Sequence, residues 1–447
     1  MAPEPPPIAP TSTPSTEAMA TRPALRVGLA GLGTVGAGVL RLLRANGTAI
    51  EKRAGRKIEI VAVSARDRHR DRGVDLAGLA WHDDPLTLAR DSGIDVVAEL
   101  IGGAEGTALA LVETALGLGK PVVTANKALL ARHGGQLGRL ALERGVAIAF
   151  EASVAGGIPV IKALREGLGG NRFSRISGIL NGTCNFVLSQ MRETGRSFEA
   201  VLQEAQDLGY AEADPTLDID GWDAAHKLAV LAAVGFDIPV DLDTVYVEGI
   251  RHISPLDIEY ADDLGYRIKL LGTAVRTERG IEQRVHPTMV PAAEPLALVE
   301  GVDNAVVIEG DAVNRLVLQG PGAGAGPTAS AVVADLIDLA QGRRQPSFVT
   351  EPENGLTAVS IAEHAGPCYV RLMVLDQPGV IADVAAELRN ERVSMEAMIQ
   401  RRNHPGRAVP VVLTTHPSQE AALRRALTRI GQLGTVVEPP RMIRIEL

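Results

Sequence analysis

The stretch that most restricts what this chain can fold into lies at residues 24–44, where an apolar run, ALRVGLA, passes directly into GLGTVGAGVLRLLR. Gly31, Gly33 and Gly36 form a G-x-G-x-x-G at the mouth of an amphipathic helix. In such a turn the first glycine lets the chain reverse, the second lets a pyrophosphate approach the backbone, and the third lets helix and strand pack closely. The helix N-terminus offers free N–H groups and a positive dipole end to the phosphates. The motif alone also fits a merely tight turn. Its position between a strand and a helix, with a second strand signal (IEIVAVSAR, 58–66) at the right distance, points to a bound dinucleotide.

The end of that second strand bears on the choice of cofactor. An acidic residue there holds the ribose 2′-hydroxyl of NAD, whereas an arginine accommodates the 2′-phosphate of NADP. The chain carries Arg66 and Arg68, which favours NADP, with Asp67 between them leaving NAD open. Further strand signals at 95–101, 121–124 and 146–150 alternate with helical stretches at 106–118 and 129–144, the pattern of an open parallel sheet. Ligands bind such sheets at the carboxyl ends of the strands, where Glu99, Gly102 and Lys127 fall. The next segment, EASVAGGIP (151–159), reads on composition as a plain tight turn, although its carbonyls could also hold a monovalent cation. GILNGTCNF (178–186) reads as an extended piece breaking at Asn181-Gly182, with Cys184 just beyond as either a buried inert thiol or a nucleophile.

The densest chemistry lies at 207–234, DLGYAEADPTLDIDGWDAAHKLAVLAAV. Its first half is a carboxylate-rich loop with Glu212, Asp214, Asp218 and Asp220; from Trp222 the pattern turns helical. Asp223 and Lys227 stand four apart, on one helix face, where their side chains touch. Such a pair is commonly a solvated one, but the apolar run LAVLAAVGF after Lys227 indicates a buried helix, in which a lysine needs a partner. Beyond it, strand signals at 246–250, 268–275, 281–289 and 304–310 suggest a mixed or antiparallel sheet. A glycine-rich turn in LVLQGPGAGA (316–325) leads to a helix at 328–339, read as returning to the nucleotide domain. After a polar linker, about eighty residues read as βαββαβ, a small α+β module.

The 447 residues suffice for two or three domains, and a 46% hydrophobic content supplies real cores. The net charge of −9 provides no basic footprint, so nucleic acid and anionic membrane are not expected partners. Two cysteines exclude a disulfide framework and fit a reducing compartment. No segment approaches the ~20 uninterrupted apolar residues that span a bilayer. Residues 1–21, rich in Pro, Ser, Thr and Ala, read as a disordered tail and not a secretory signal. A cytoplasmic protein is expected.

Taken together, GLGTVG, VVAELIGG, VVTANKALLA, FEASVAGGIP, GILNGT, AQDLGYAEADPTLDIDGWDAAHK and GPGAG resemble the homoserine dehydrogenase family, over residues 25–447 nearly end to end. The C-terminal module, with LDQPGVIADVAAEL, looks like an ACT domain. The fold so implied is α/β: a Rossmann-type doubly wound nucleotide domain (22–150, with a return segment at 316–341), an α+β substrate and dimerisation domain (151–315), a linker (342–365) and the ACT-like module (366–447). The implied reaction is NAD(P)-dependent interconversion of L-homoserine and L-aspartate 4-semialdehyde, on the route to threonine and methionine.

By the same resemblance, Lys227 exchanges the proton at the substrate oxygen. Asp223 and Glu212 hold homoserine, Asp218 supports them, and Lys127 lies where nicotinamide and substrate meet. Gly31, Gly33, Thr34, Val35, Gly36, Lys127, Gly209 and Gly322 line the dinucleotide. A monovalent cation, sodium or potassium, sits on main-chain oxygens of Glu151, Val154, Gly156 and Ile158, against the plain-turn reading. Threonine is implied as an inhibitor binding near Asp376, Gly379 and Val380, in a homodimer or homotetramer. Cys184 stands where relatives commonly have threonine. Two rivals remain: an acylating semialdehyde dehydrogenase using Cys184, and an amino-acid sensor without catalysis.

Overall fold

The computed structural model describes residues 22–343, 348, 356–401 and 407–446. The expected 1–21 tail lies outside the described residues, as does part of the 342–365 linker. The N-terminal sheet has six parallel strands: β1 (Leu25–Ala30), β2 (Ile58–Ser64), β3 (Ala80–His82), β4 (Val96–Glu99), β5 (Val122–Thr124) and β6 (Ile148–Ala149). Their order is β3-β2-β1-β4-β5-β6, which places the reversal of strand order at β1 and β4. Ligands bind doubly wound sheets at that reversal. Strands covered on both faces by helices read as continuous apolar runs, and the fully buried VVAE of β4 is one. β3 went unread in the sequence because Ala-Trp-His carries neither an apolar run nor alternation.

The helix Ala325–Gln341 returns to this domain after the chain has built the next one. Its Ala329, Val332, Val333 and Leu336 share a core with Leu25, Val27 and Leu29 of β1 and Val39 of the first helix, Thr34–Ala45. The contact is intimate at Gly38, where a Cβ would lie 2.4 Å from Ala325 O.

The second sheet has eleven strands. Its centre is a long antiparallel hairpin, Tyr266–Thr277 with Gly280–Pro291. Phe173–Ile179, Asp303–Gly310 and Asn314–Pro321 continue it on one side. On the other side Gly280–Pro291 pairs in parallel with three short strands, Ala358–Val359, Tyr246–Val247 and the C-terminal Arg441–Ile445. The last of these belongs to the βαββαβ module, whose sheet runs on through Cys368–Leu375, Ala408–Thr415 and Met395–Ile399. The module is therefore welded to the substrate domain through a shared sheet, where the sequence had suggested only a linked appendage. A second correction concerns GILNGTCNF. The extended piece ends at Ile179, and Gly182–Thr194 is a helix with Asn181 as its N-cap, so Cys184 lies in its first turn. The acidic loop also contains one short helical turn, Thr216–Ile219, before the helix Trp222–Phe236. Among the described residues no helix is long and apolar enough to cross a membrane.

Candidate active site

At the carboxyl end of β1 the glycine turn is dictated by packing. Gly31 adopts φ +100°, donates its N–H to Ser64 O of β2 at 2.8 Å, and has Leu100 O only 2.3 Å from where a Cβ would stand. A Cβ on Gly36 would meet Gly31 O at 2.1 Å, whereas Gly33 opens on free space, the room a pyrophosphate requires. Gly33 caps the helix Thr34–Ala45 without a side chain, so the amides beginning at Thr34 and Val35 have no side-chain cap. Arg66 and Arg68 are exposed on the loop after β2. Asp67 accepts His69 N–H at 2.8 Å and is engaged in its own turn. Sequence reasoning missed Arg72, which donates to Leu32 O inside the glycine turn at 3.2 Å and lies over Trp81 together with Arg68. Arg72 pins the basic loop to the turn.

Glu99 ends β4 fully buried and accepts Ile101 N–H, Gly102 N–H (3.0 Å) and the Thr124 hydroxyl (2.6 Å). Asn126 then caps the helix Lys127–Arg144 through Leu129 N and ties it to Gly103 O. These bonds fix where Lys127 starts. Lys127 Nζ lies 3.3 Å from Asp223 Oδ1, so the nucleotide domain reaches into the acidic block at this point.

Asp223 is the hub. Its other oxygen, Oδ2, accepts Lys227 Nζ at 2.7 Å and Asn181 Nδ2 at 2.9 Å. Lys227 Nζ also donates to Leu180 O at 2.6 Å, and its side chain is only 12% exposed. Asn181 Nδ2 further donates to Asp218 Oδ1 at 2.7 Å. Burial pushes the Asp223 carboxyl up, but Lys227, Lys127 and the bonds from Lys227 and Asn181 outweigh it and hold the group well below the usual carboxylate range. Asp218 goes the other way: burial and the charge on Asp223 raise it, against Asn181 and the two lysines. His226, buried on the same helix, is lowered mainly by burial and further by Lys127, Arg132 and Lys227.

Glu212 is exposed, with its main-chain oxygen accepting Gln206 Nε2 at 3.0 Å, and Gly209 turns with φ +75° after the helix Phe198–Asp207. Cys184 is fully buried, its thiol donates to Asp218 O at 3.1 Å, and burial raises it well above its ordinary value. It has neither the access nor the thiolate character of a nucleophile.

The two chain crossings between domains lie side by side, with Gly157 N donating to Pro321 O at 3.0 Å and Gly322 O 2.8 Å from where a Cβ on Gly156 would sit. Glu151, Val154 and Ile158 are buried there. The Glu151 carboxylate accepts Ile161 N and Lys162 N, while its own N–H donates to Asp335 Oδ2. Burial and the neighbouring Asp335 charge push Glu151 up to about 7, and burial pushes Asp335 to about 6. Among the described residues no group of three or more His, Cys, Asp or Glu could hold a metal, so a cation here would rest on main-chain oxygens. In the module, Asp376 accepts Gln400 Nε2 at 3.3 Å, and Gly379 (φ +96°) caps the helix Val380–Asn390.

Comparison with known proteins agrees with this architecture. A family model described as homoserine dehydrogenase matches residues 159–337, and one described as its NAD binding domain matches 31–151. An ACT domain matches 369–432. The homoserine dehydrogenase of Pseudomonas aeruginosa is 46% identical over 433 residues, covering 94% of this chain and 99% of its own. That of Neisseria gonorrhoeae is 45% identical over 430 residues, covering 94% and 98%. Among solved structures, a homoserine dehydrogenase from Thiobacillus denitrificans superposes with a TM-score of 0.89 at 44% identity, over 95% of this chain and 98% of that one. A hyperthermophilic archaeal homoserine dehydrogenase in complex with NADPH gives 0.61 at 27% identity, over 72% of this chain and 99% of its own.

Proposed function

The chain belongs to the homoserine dehydrogenase family, and on that premise we propose how its own residues divide the interconversion of L-homoserine and L-aspartate 4-semialdehyde. The observation that carries the reading is Asp223, a single ionised carboxylate with one lysine on each oxygen. When bound, the dinucleotide supplies hydride acceptance and donation; the protein handles the proton and the charge. Lys227, entering oxidation as the neutral amine, takes the hydroxyl proton and becomes the ammonium paired with Asp223; in reduction that ammonium gives its proton to the oxygen as hydride arrives at the carbonyl carbon. Lys127 stabilises negative charge developing on the same oxygen. Asp223 orients both lysines, Glu212 receives the substrate amino group, and Asp218 supports the acidic wall.

Gly31, Gly33, Thr34, Val35, Gly36, Gly102, Lys127, Gly209 and Gly322 are assigned to the dinucleotide. The pinned loop bearing Arg66 favours NADP, in keeping with the NADPH bound by the archaeal relative. The Glu151, Val154, Gly156 and Ile158 loop is assigned a monovalent cation, and the turn at Asp376, Gly379 and Val380 threonine as inhibitor. The domain boundaries read from the sequence are kept in this proposal except for the return segment, which begins at the helix Ala325–Gln341 because residues 316–321 belong to the outer strand of the second sheet. The sheet's exposed outer strand, Asn314–Pro321, suits pairing in a homodimer or homotetramer.

Asp223→Asn tests the core of the reading. Homoserine-dependent turnover with NADP is expected to fall roughly 10²- to 10⁴-fold, while NADPH binding by fluorescence titration stays near wild type. Turnover within a few-fold of wild type would defeat the assignment.

A further inference from the structure

The proton-handling lysine and the part-buried carboxylates of Asp218 and Asp223 converge on Leu180-Asn181, a dipeptide at the seam between the strand Phe173–Ile179 and the helix Gly182–Thr194. Leu180 contributes its carbonyl to Lys227. Asn181, 4% exposed, uses every part of its amide. Its Oδ1 accepts Cys184 N–H at 2.8 Å, which caps the helix and fixes the orientation of the amide. A backbone N–H needs an acceptor, so oxygen must face the helix and the NH₂ group must face the acids. One bond then goes to Asp218 at 2.7 Å and one to Asp223 at 2.9 Å.

We propose that Asn181 is a positioning residue of the reaction: its amide stands as a neutral double donor between Asp218 and Asp223, so that both stay ionised side by side and Asp223 keeps its two lysines aimed. The inference rests on the reading of Asp223 and Lys227 given above. Two carboxylates this close repel, and without an intervening donor one of them takes a proton. A protonated or rotated Asp223 would release Lys227 from its place. Each hydrogen bond to a charged group contributes more than one between neutral groups, so losing both has consequences out of proportion to the size of the side chain. The groups that face this pair are Lys227 and His226 on the same helix as Asp223, Lys127 from the nucleotide domain, and the inert Cys184 thiol.

Two substitutions separate this role from capping, because serine and aspartate are both good N-caps. Asn181→Ser keeps the cap and removes the amide NH₂ that reaches Asp218 and Asp223, leaving one hydroxyl on a shorter side chain; Asn181→Asp keeps the cap and adds a third negative charge. Both are expected to unfold within a few degrees of wild type. Asn181→Ser should lose about 10- to 100-fold in kcat for homoserine oxidation with little change in NADPH binding. Asn181→Asp should lose more at pH 9 than at pH 6, because at lower pH a proton shared among the carboxylates restores one donor. If both variants keep wild-type kcat and a superimposable pH–rate profile, or if activity falls only in step with thermal stability, Asn181 is a helix cap and the proposal is overturned. Asp223→Asn is assayed alongside. If it is fully active, the reading of the site itself has failed; if it is crippled while the Asn181 variants are not, only the present inference has.

Discussion

At Asp223 one carboxylate meets an ammonium group on each oxygen, and Asp218 meets neither directly. That difference separates their titrations. Asp223, held well below its ordinary range by Lys227 and Lys127, is the one that keeps its charge as pH falls. Asp218, raised by burial and by its neighbour, is the carboxylate that protonates as the medium becomes acidic. The acid limb of kcat/KM for homoserine is therefore expected to belong to Asp218, and Asp218→Asn should flatten it at a reduced plateau. A limb of unchanged shape in that variant would assign it elsewhere. At this scale the sequence was informative where residues are spaced along one helix: Asp223 and Lys227 four apart could be read directly. It was silent on Asn181 and Arg72. Asn181 reaches the acids across some forty positions of chain, and only an N-cap asparagine before a helix, misread as an extended break, could have hinted at it. Arg72 is one of several arginines in RDRHRDR, and nothing in the pattern says which one bonds Leu32 O.

Elements carry the next constraint, where Glu151 meets the helix Ala325–Gln341 at Asp335. Both carboxyls have raised values in the folded protein, about 7 and about 6, against ordinary values of 4.5 and 3.8. The folded state therefore holds more protons than the unfolded state between about pH 4 and 7, and by linkage their contribution to stability falls as pH rises through that window. Wild type minus Glu151→Gln, compared as thermal midpoints at pH 5 and pH 8, should show this slope, with the variant flatter. Equal slopes would mean that Glu151 titrates normally. Helices and apolar strands were legible because burial imposes periodicity, as in β4 and Trp222–Phe236. The short β3 and Ala358–Val359 were not, since two or three residues carry no period; Tyr246–Val247 and Arg441–Ile445 fall within strand signals, but their pairing with Gly280–Pro291 is decided by tertiary placement.

In the whole molecule, the ACT-like module shares a sheet with the substrate domain and is locked to it by buried ion pairs. Arg371 forks onto Asp257 at 2.7 and 3.2 Å, with Tyr369 adding a third bond. Arg444 spans Glu420 in the module and Glu248 in the substrate domain, and Ile250, two residues on, donates its N–H to Ile219 O beside Asp218. Removing Arg371 strands the fully buried Asp257, so Arg371→Met is expected to cost about 3–5 kcal/mol in denaturant unfolding. A loss under about 1 kcal/mol would show the weld to be weaker than drawn. Truncating the module would expose the edge of Gly280–Pro291 at Thr288 and Met289, so threonine control is better tested by calorimetry on Asp376→Ala in the full chain. Heat of threonine binding in wild type and its loss in the variant is the expected result, and no heat in wild type would remove the regulatory assignment. The proposed active site is itself a property of the whole chain, because Lys127 and Lys227 come from different domains and meet at Asp223. The most direct test is single-turnover reduction of NADP by homoserine with Lys227→Ala, both ligands saturating. We expect the rate to fall by about 10³-fold or more with NADPH affinity retained; a rate within a few-fold of wild type would contradict the account.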